Sequence, residues 1–403
     1  YGGNSVTSAY SLSPYASLTD SLGNYILFPQ TTTSYVNPFL TIPTSGYNNS
    51  GNLQGIFSAT VKVPWVRGLS YTVNYSKNYR TSESGSFYGF QTYQGQSSKG
   101  TGSSSVGTAL SSLVDHIIRY NNTFANVHNV DLTLVNSNTK NTGKSYGLTA
   151  SGFDNDALGT NYLQAGATQS LSTSAYEDEA IGQMARLTYT YDNKYAITGT
   201  IRHDGFSAFS ANHKWGNFPS VGVNWNITKE NFMKKVSFVN HLDLRASYGT
   251  VGNQSIDRYS TLSKIGNSYY VYQGISTPVF TQAVVTPANN DLLWESTTGL
   301  NFGLDFSLLR NRLSGSVDGY FTKTNNMAFS RPLPATTGFG SILVNAGEIQ
   351  NRGIELNLHS LNIETGKFSW SSDAAFSLNR NKITHLLGDV DGDGKEDDMV
   401  SSN

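Results

Sequence analysis

The chain contains no cysteine, which excludes a disulfide framework and any thiolate metal centre. Charged side chains are scarce, at 14% against the ~25% of ordinary soluble domains. Acids and bases nearly balance, leaving a net charge of −1, so the basic patch on which nucleic-acid binding depends is not expected, and neither is a nucleic-acid partner. No run approaches the ~20 consecutive apolar residues of a membrane helix. That absence leaves a spanning β-barrel open, because barrel strands hide their apolar content by alternation. Tyr1-Gly2-Gly3-Asn4 has neither the basic region nor the apolar core of a secretion signal. The sequence therefore reads as a chain that is not exported, or as an internal piece of a longer one. Catalytic signatures are missing too. His116, His128, His203, His213, His241, His359 and His385 are scattered, and no HExxH, GxSxG, P-loop or GxGxxG motif occurs. No enzyme is expected.

Few charges would suggest a greasy chain, yet mean hydropathy is −0.34. The polarity comes from Ser, Thr, Asn, Gly and 24 Tyr, a mixture that suits long strands and suits helices poorly. The clearest pattern is Leu300 to Phe321. Leu300, Phe302, Leu304, Phe306 and Leu308 alternate with Asn301, Gly303, Asp305 and Ser307. After Arg310-Asn311-Arg312 the alternation resumes, with Leu313, Gly315, Val317 and Phe321 set against Ser314, Ser316, Asp318 and Tyr320. Successive strand side chains point to opposite faces, so this is an antiparallel hairpin with one apolar and one polar wall.

The same signal predicts strands at 54–63, 69–79, 113–124, 130–137, 184–191, 195–203, 219–227, 242–249, 354–359 and 368–379. In all, about twelve strands fall between residues 53 and 380. Residues 1–52 read mostly as loop, 381–403 as an acidic outer loop, and 81–108 and 140–180 as long connections. Short turns at 64–68, near Asn126, at 192–194 and at 309–312 take turns with long loops, while 228–239 is a mid-length exception. Outer-membrane barrels have this asymmetry, with short periplasmic turns and long outer loops, and a soluble sandwich has no reason for it. The fold expected is all-β: part of one transmembrane antiparallel β-barrel domain. Its apolar wall faces lipid, since only a closed sheet satisfies the backbone there, and its polar wall faces a lumen. Tyr189, Tyr191, Tyr195, Trp225 and Trp370 would form interfacial girdles. Glu295, Asp305, Asp318 and Glu355 lie on polar faces, with Arg245 and Arg352 as expected partners. The rival reading is a large soluble or surface carbohydrate-binding β-protein.

Five segments carry a resemblance. They are Arg202-His203-Asp204-Gly205-Phe206, Trp215-Gly216-Asn217-Phe218-Pro219-Ser220, Tyr248-Gly249-Thr250-Val251-Gly252-Asn253-Gln254, Leu293-Trp294-Glu295-Ser296-Thr297, and Asn345-Ala346-Gly347-Glu348-Ile349-Gln350-Asn351-Arg352-Gly353-Ile354-Glu355. In this order the set resembles the SusC/RagA family of TonB-dependent outer-membrane transporters, over roughly 55–403. The resemblance implies a plugged barrel of roughly 22 strands, with the plug and the closing strands outside this chain. It also implies a SusD-like surface lipoprotein as lid, TonB as the source of energy, and oligosaccharide or, alternatively, oligopeptide cargo. A siderophore or cobalamin receptor of the same fold is disfavoured by the motifs. The five segments read as scaffold, with no ligand contact assigned to them.

Two further features concern ligands. Asp389, Asp391 and Asp393, followed by Gly394, match the first half of a calcium loop, to which Lys395 could add a carbonyl. Position twelve is Val400, so Asp397 or Asp398 would have to replace the usual bidentate carboxylate. Phe87, Tyr88, Phe90, Tyr93, Tyr269, Tyr270 and Tyr272 lie in predicted loops, where they could stack on sugars, pack the loops or meet the lid.

Overall fold

A computed structural model describes residues 9–30, 35–270 and 279–386. Sixteen strands follow in order: β1 (Ser45–Lys62), β2 (Leu69–Tyr88), β3 (Thr101–Phe124), β4 (His128–Ser151), β5 (Thr168–Tyr191), β6 (Tyr195–Phe206), β7 (Trp215–Asn226), β8 (Val239–Asn253), β9 (Lys264–Tyr270), β10 (Val279–Thr286), β11 (Glu295–Leu308), β12 (Leu313–Asn325), β13 (Ala328–Pro332), β14 (Ser341–Asn345), β15 (Glu348–Thr365) and β16 (Phe368–His385). Twelve of them make one sheet in the order β1-β2-β3-β4-β5-β6-β7-β8-β11-β12-β15-β16. The pairs β9–β10 and β13–β14 are separate two-stranded ribbons within the connections. The described residues divide into two compact units, one within 1–56, 76–112 and 140–177, the other within 57–75, 113–139 and 178–403.

Within the second unit, register carries the two-walled pattern from strand to strand. Leu304 lies opposite Leu244 on one side and Val317 on the other, and Val317 lies opposite Leu356. Asn301 lies between Ser247 and Tyr320. The apolar wall stays open, with Phe302, Ile354, Phe376 and Leu378 all about half exposed. A water-exposed sheet would cover such a wall; a lipid-facing one has no need to.

The short-turn edge is closed by tight hairpins. Ala125-Asn126 and Asp192-Asn193 each place two residues at positive φ, the conformation whose twist suits a two-residue hairpin. Neighbouring hairpins are tied through backbone bonds, with Asp192 donating to Val127, Asn226 to Lys194, Leu309 to Phe238 and Leu361 to Arg312, each at 2.7 Å. Four of the five aromatic residues expected in girdles, Tyr189, Tyr191, Tyr195 and Trp225, gather on this edge. Tyr191, Tyr195 and Trp225 stack in series at 6.5 and 6.4 Å, and His128 Nδ1 is 2.7 Å from Tyr189 Oη.

The connection 227–238 is longer than its neighbours because it folds back to plug the girdle. Tyr195 Oη and Trp225 Nε1 both donate to the Glu230 carboxylate. Those two donors, with Lys194 contributing less, hold Glu230 below its ordinary value of 4.5. A depressed carboxyl stabilises the fold fully above its unfolded pKa and loses that contribution as pH falls through the folded value. Acid titration from pH 7 to pH 3 should therefore show a Trp fluorescence step below pH 4.5. The step should be missing in Glu230→Gln, which cannot ionise.

Strands β1 to β5 are 18 to 24 residues long, about twice the ~10 a tilted spanning strand needs. The predicted loops 81–108 and 140–180 are accordingly mostly strand, reduced to connections at 89–100 and 152–167, and β1 begins at Ser45. Two of their glycines are seats for rings on a neighbouring strand. A Cβ on Gly85 would lie 2.6 Å from the Tyr47 ring, and one on Gly143 would lie 2.4 Å from the Tyr176 ring. In the first unit, Asn37 is fully buried, not a surface loop residue. Its amide donates to the Leu18 and Ile26 carbonyls, and its Oδ1 accepts from Phe39 N at the start of a short 3-10 turn.

Candidate functional site

The polar wall of the second unit is the surface on which a solute can be held, and register sets its chemistry. Asp243 lies opposite Asp305, and Asp318 lies opposite Glu355. Between these acid pairs stands Arg245, opposite Gly303. Gly303 leaves the space the guanidinium occupies, since a Cβ there would lie 2.6 Å from Arg245 Cζ. Arg245 donates from Nε to Asp305 Oδ2 at 2.5 Å, and from Nη2 to Asp305 Oδ1 at 3.1 Å and Asp318 Oδ1 at 3.0 Å. Glu295 instead accepts from Asn253 Nδ2 at 3.2 Å. The expectation for Arg352 needs correction. It lies opposite Phe321 and Arg380, on the apolar wall, because its parity matches Ile354 and not Glu355.

Where the pairing of β7 with β8 ends, at Ser220 and Gly249, the two strands separate. An aromatic cluster fills the gap. Phe209, Phe218 and Trp294 are buried, with Phe206 and Ile256 packed against them. Trp294 stacks on Phe209 at 4.4 Å, tilts against Phe218 at 5.4 Å, and donates from Nε1 to His213 O at 3.1 Å. Three connections are locked onto this cluster. Ser210 Oγ donates to Leu292 O, Thr261 Oγ1 donates to Ala208 O, and Asn289 Nδ2 donates to Leu343 O. The Asn345 side chain behaves like a short piece of strand. Its Oδ1 accepts from Leu293 N at 2.6 Å, and its Nδ2 donates to Leu293 O and Asn326 O.

Beside the cluster is a cavity of about 520 Å³, lined by Gly182, Arg202, Asp204, Phe218, Asn253, Gln254 and Trp294 among others. Arg202 forms a fork onto Asp204, Nε to Oδ2 at 3.0 Å and Nη2 to Oδ1 at 2.9 Å, so its charge is met within the cavity wall. The remaining polar groups are amides and hydroxyls, beside the buried rings of Phe218 and Trp294. Such a lining can hold an uncharged polar solute by hydrogen bonds.

All five sequence segments thus meet around one cluster, although they are dispersed between 202 and 355 in the chain. Four of them also line the cavity, through Arg202 and Asp204, Phe218, Thr250 to Gln254, and Trp294, so the expectation of scaffold alone missed both the locked connections and the cavity. The available signal was an aromatic residue at a strand end facing a glycine on the neighbouring strand, as Phe218 faces Gly252. Of the loop aromatics, Phe87 is a core residue, fully buried with Ala150, Phe153 and Leu163, and Phe90 packs on that core. Phe87 is therefore not free to stack on cargo. Tyr93 is exposed. Tyr272 and the calcium-type segment Asp389, Asp391, Asp393, Lys395, Asp397 lie outside the described residues.

Comparison with known proteins agrees with this architecture. Residues 1–401 match the model of the "TonB dependent receptor-like, beta-barrel" family. TonB-dependent receptor P3 of Formosa agariphila is 32% identical over 97% of this chain and 38% of its own length. TonB-dependent receptor SusC of Bacteroides thetaiotaomicron is 36% identical over 54% of this chain and 22% of its own length. Among solved structures, the RagAB peptide transporter superposes with a TM-score of 0.79 at 23% identity, covering 92% of this chain and 41% of that one, a likeness of fold. The chain spans about a third of the length of the curated relatives it matches. With its motifs, its two-walled sheet and a family match along nearly its whole length, this chain belongs to the TonB-dependent receptor β-barrels of the SusC/RagA kind and is part of an outer-membrane protein.

Proposed function

We propose that the protein of which this wall is part imports oligosaccharides across the outer membrane. A SusD-like lipoprotein would capture the cargo, and TonB would supply the energy. The observation carrying the cargo assignment is the cavity beside Trp294. Its charged pair, Arg202 and Asp204, is closed on itself, leaving amides and hydroxyls for a ligand. Sugars present hydroxyl groups and apolar ring faces and need no counter-charge, whereas a free peptide brings charged termini that this lining does not answer. Family membership supports the transport part of the reading. Growth of a deletion strain on single glycans and on peptide mixtures as sole carbon source tests it. Loss of growth on one glycan class, restored by the intact gene, is expected. Loss on peptides alone would assign oligopeptide import, and no growth defect together with loss of surface glycan binding would indicate a non-transporting binder.

A further inference from the structure

On three adjacent strands the apolar wall ends in cations. Reading away from the short turns, the outward residues of β12 run Val317, Gly319, Phe321 and then Lys323. Those of β15 run Leu358, Leu356, Ile354 and then Arg352, and those of β16 run Ala374, Phe376, Leu378 and then Arg380 and Lys382. Arg352 and Arg380 are directly opposed. Like charges in that position repel and destabilise the strand pair, a cost that an anion between them would relieve. Lys323 has one, Glu348 Oε2 at 2.9 Å. Arg352 does not. Its strand neighbours are Phe321, Lys323, Ile354, Leu378, Arg380 and Lys382, none of them acidic, and among the described residues no hydrogen bond or ion pair engages its guanidinium. Both arginines are exposed.

Height identifies the missing anion. From Phe368 at the turn to Arg380, β16 climbs roughly 30 Å at ~3.3 Å per residue and ~40° tilt, just past an apolar band ~25 Å tall. The turn side is periplasmic, so the arginine pair stands at the headgroup level of the outer leaflet. We propose that Arg352 and Arg380 form a clamp for the phosphate of an outer-leaflet lipid, with its acyl chains lying on Ile354, Leu356, Phe376 and Leu378. Guanidinium forks are matched to phosphate oxygens, and two of them side by side bind one phosphate more firmly than isolated lysines would.

The test uses the full-length receptor in nanodiscs carrying lipid A as the only anionic lipid, with retained lipid counted by native mass spectrometry. Phosphorylated lipid A should survive delipidation at least fivefold better than enzymatically dephosphorylated lipid A. Arg352→Gln/Arg380→Gln should abolish that difference while keeping heat-modifiable gel mobility. Equal retention of the two lipids by the unaltered protein would overturn the proposal without need of any variant. A folded double variant that still prefers the phosphorylated lipid would overturn it as well.

Discussion

Trp294→Ala should open the connection 254–294 to protease while leaving the sheet folded. The ring is 8% exposed and touches both Phe209 and Phe218. Truncating a buried Trp costs about 3–5 kcal/mol through lost transfer energy and the cavity left behind. The cluster fastens connections and does not hold the strands together, so this cost falls on local opening, which is distinct from unfolding of the wall. At 1.4 kcal/mol per tenfold, cleavage within 254–294 should accelerate by about two to three and a half orders of magnitude when opening and reclosing are fast relative to cleavage. Trp294→Phe keeps one aromatic ring in the cluster but loses the donor to His213, about 1 kcal/mol for one hydrogen bond, and part of the packed area. Its cleavage should accelerate by less than that of Trp294→Ala. Limited proteolysis with fragment mass mapping checks both variants. Unchanged cleavage in Trp294→Ala would mean that the cluster does not fasten the connections.

Arg245→Met should have the second large effect, this time on the wall itself. The substitution leaves Asp243 facing Asp305 and Asp318 facing Glu355 with no cation between them. Removing one partner of a well-buried pair costs ~3–5 kcal/mol, and Arg245 is 39% exposed, so solvent screening lowers the expectation to about 2 kcal/mol. The temperature at which the compact gel band converts on heating should fall by several degrees. Adding Asp305→Asn and Asp318→Asn should restore most of the loss, because the penalty lies in unpaired carboxylates and not in lost packing. A triple variant no better than Arg245→Met would show that the guanidinium acts through packing alone.

How legible each part was in the sequence follows from what each residue faces. The hairpin 300–321 was readable because one face meets lipid and the other meets water, and this imposes period-2 alternation. Segments such as Thr81-Ser82-Glu83-Ser84-Gly85-Ser86 carry no such signal. They are strand by backbone pairing and by rings seated over glycine, as Tyr47 sits over Gly85, so composition alone made them look like loop. Arg352 was assigned to the polar wall from the composition of its neighbourhood, whereas counting parity from Ile354 would have placed it outside. The five segments surround one aromatic cluster, and four of them line the cavity beside it. Their convergence on Trp294 depends on the paths of connections such as 254–294, which no local period encodes. The cavity, assembled from strands β4 to β8, Gln254 and Trp294, was beyond sequence reasoning for the same reason.

The central claim is that the even-numbered residues of β11 face lipid and the odd-numbered ones face an aqueous lumen. Because this chain has no cysteine, single-cysteine substitution is clean within it. Spin labels placed one at a time from Leu300→Cys to Ser307→Cys, in the full-length protein in bilayers, report collision with oxygen dissolved in lipid and with a water-soluble nickel chelate. Positions 300, 302, 304 and 306 should favour oxygen and positions 301, 303, 305 and 307 the chelate, in strict alternation. High chelate accessibility at both sets of positions, or no alternation, would contradict the reading of this sheet as a membrane wall.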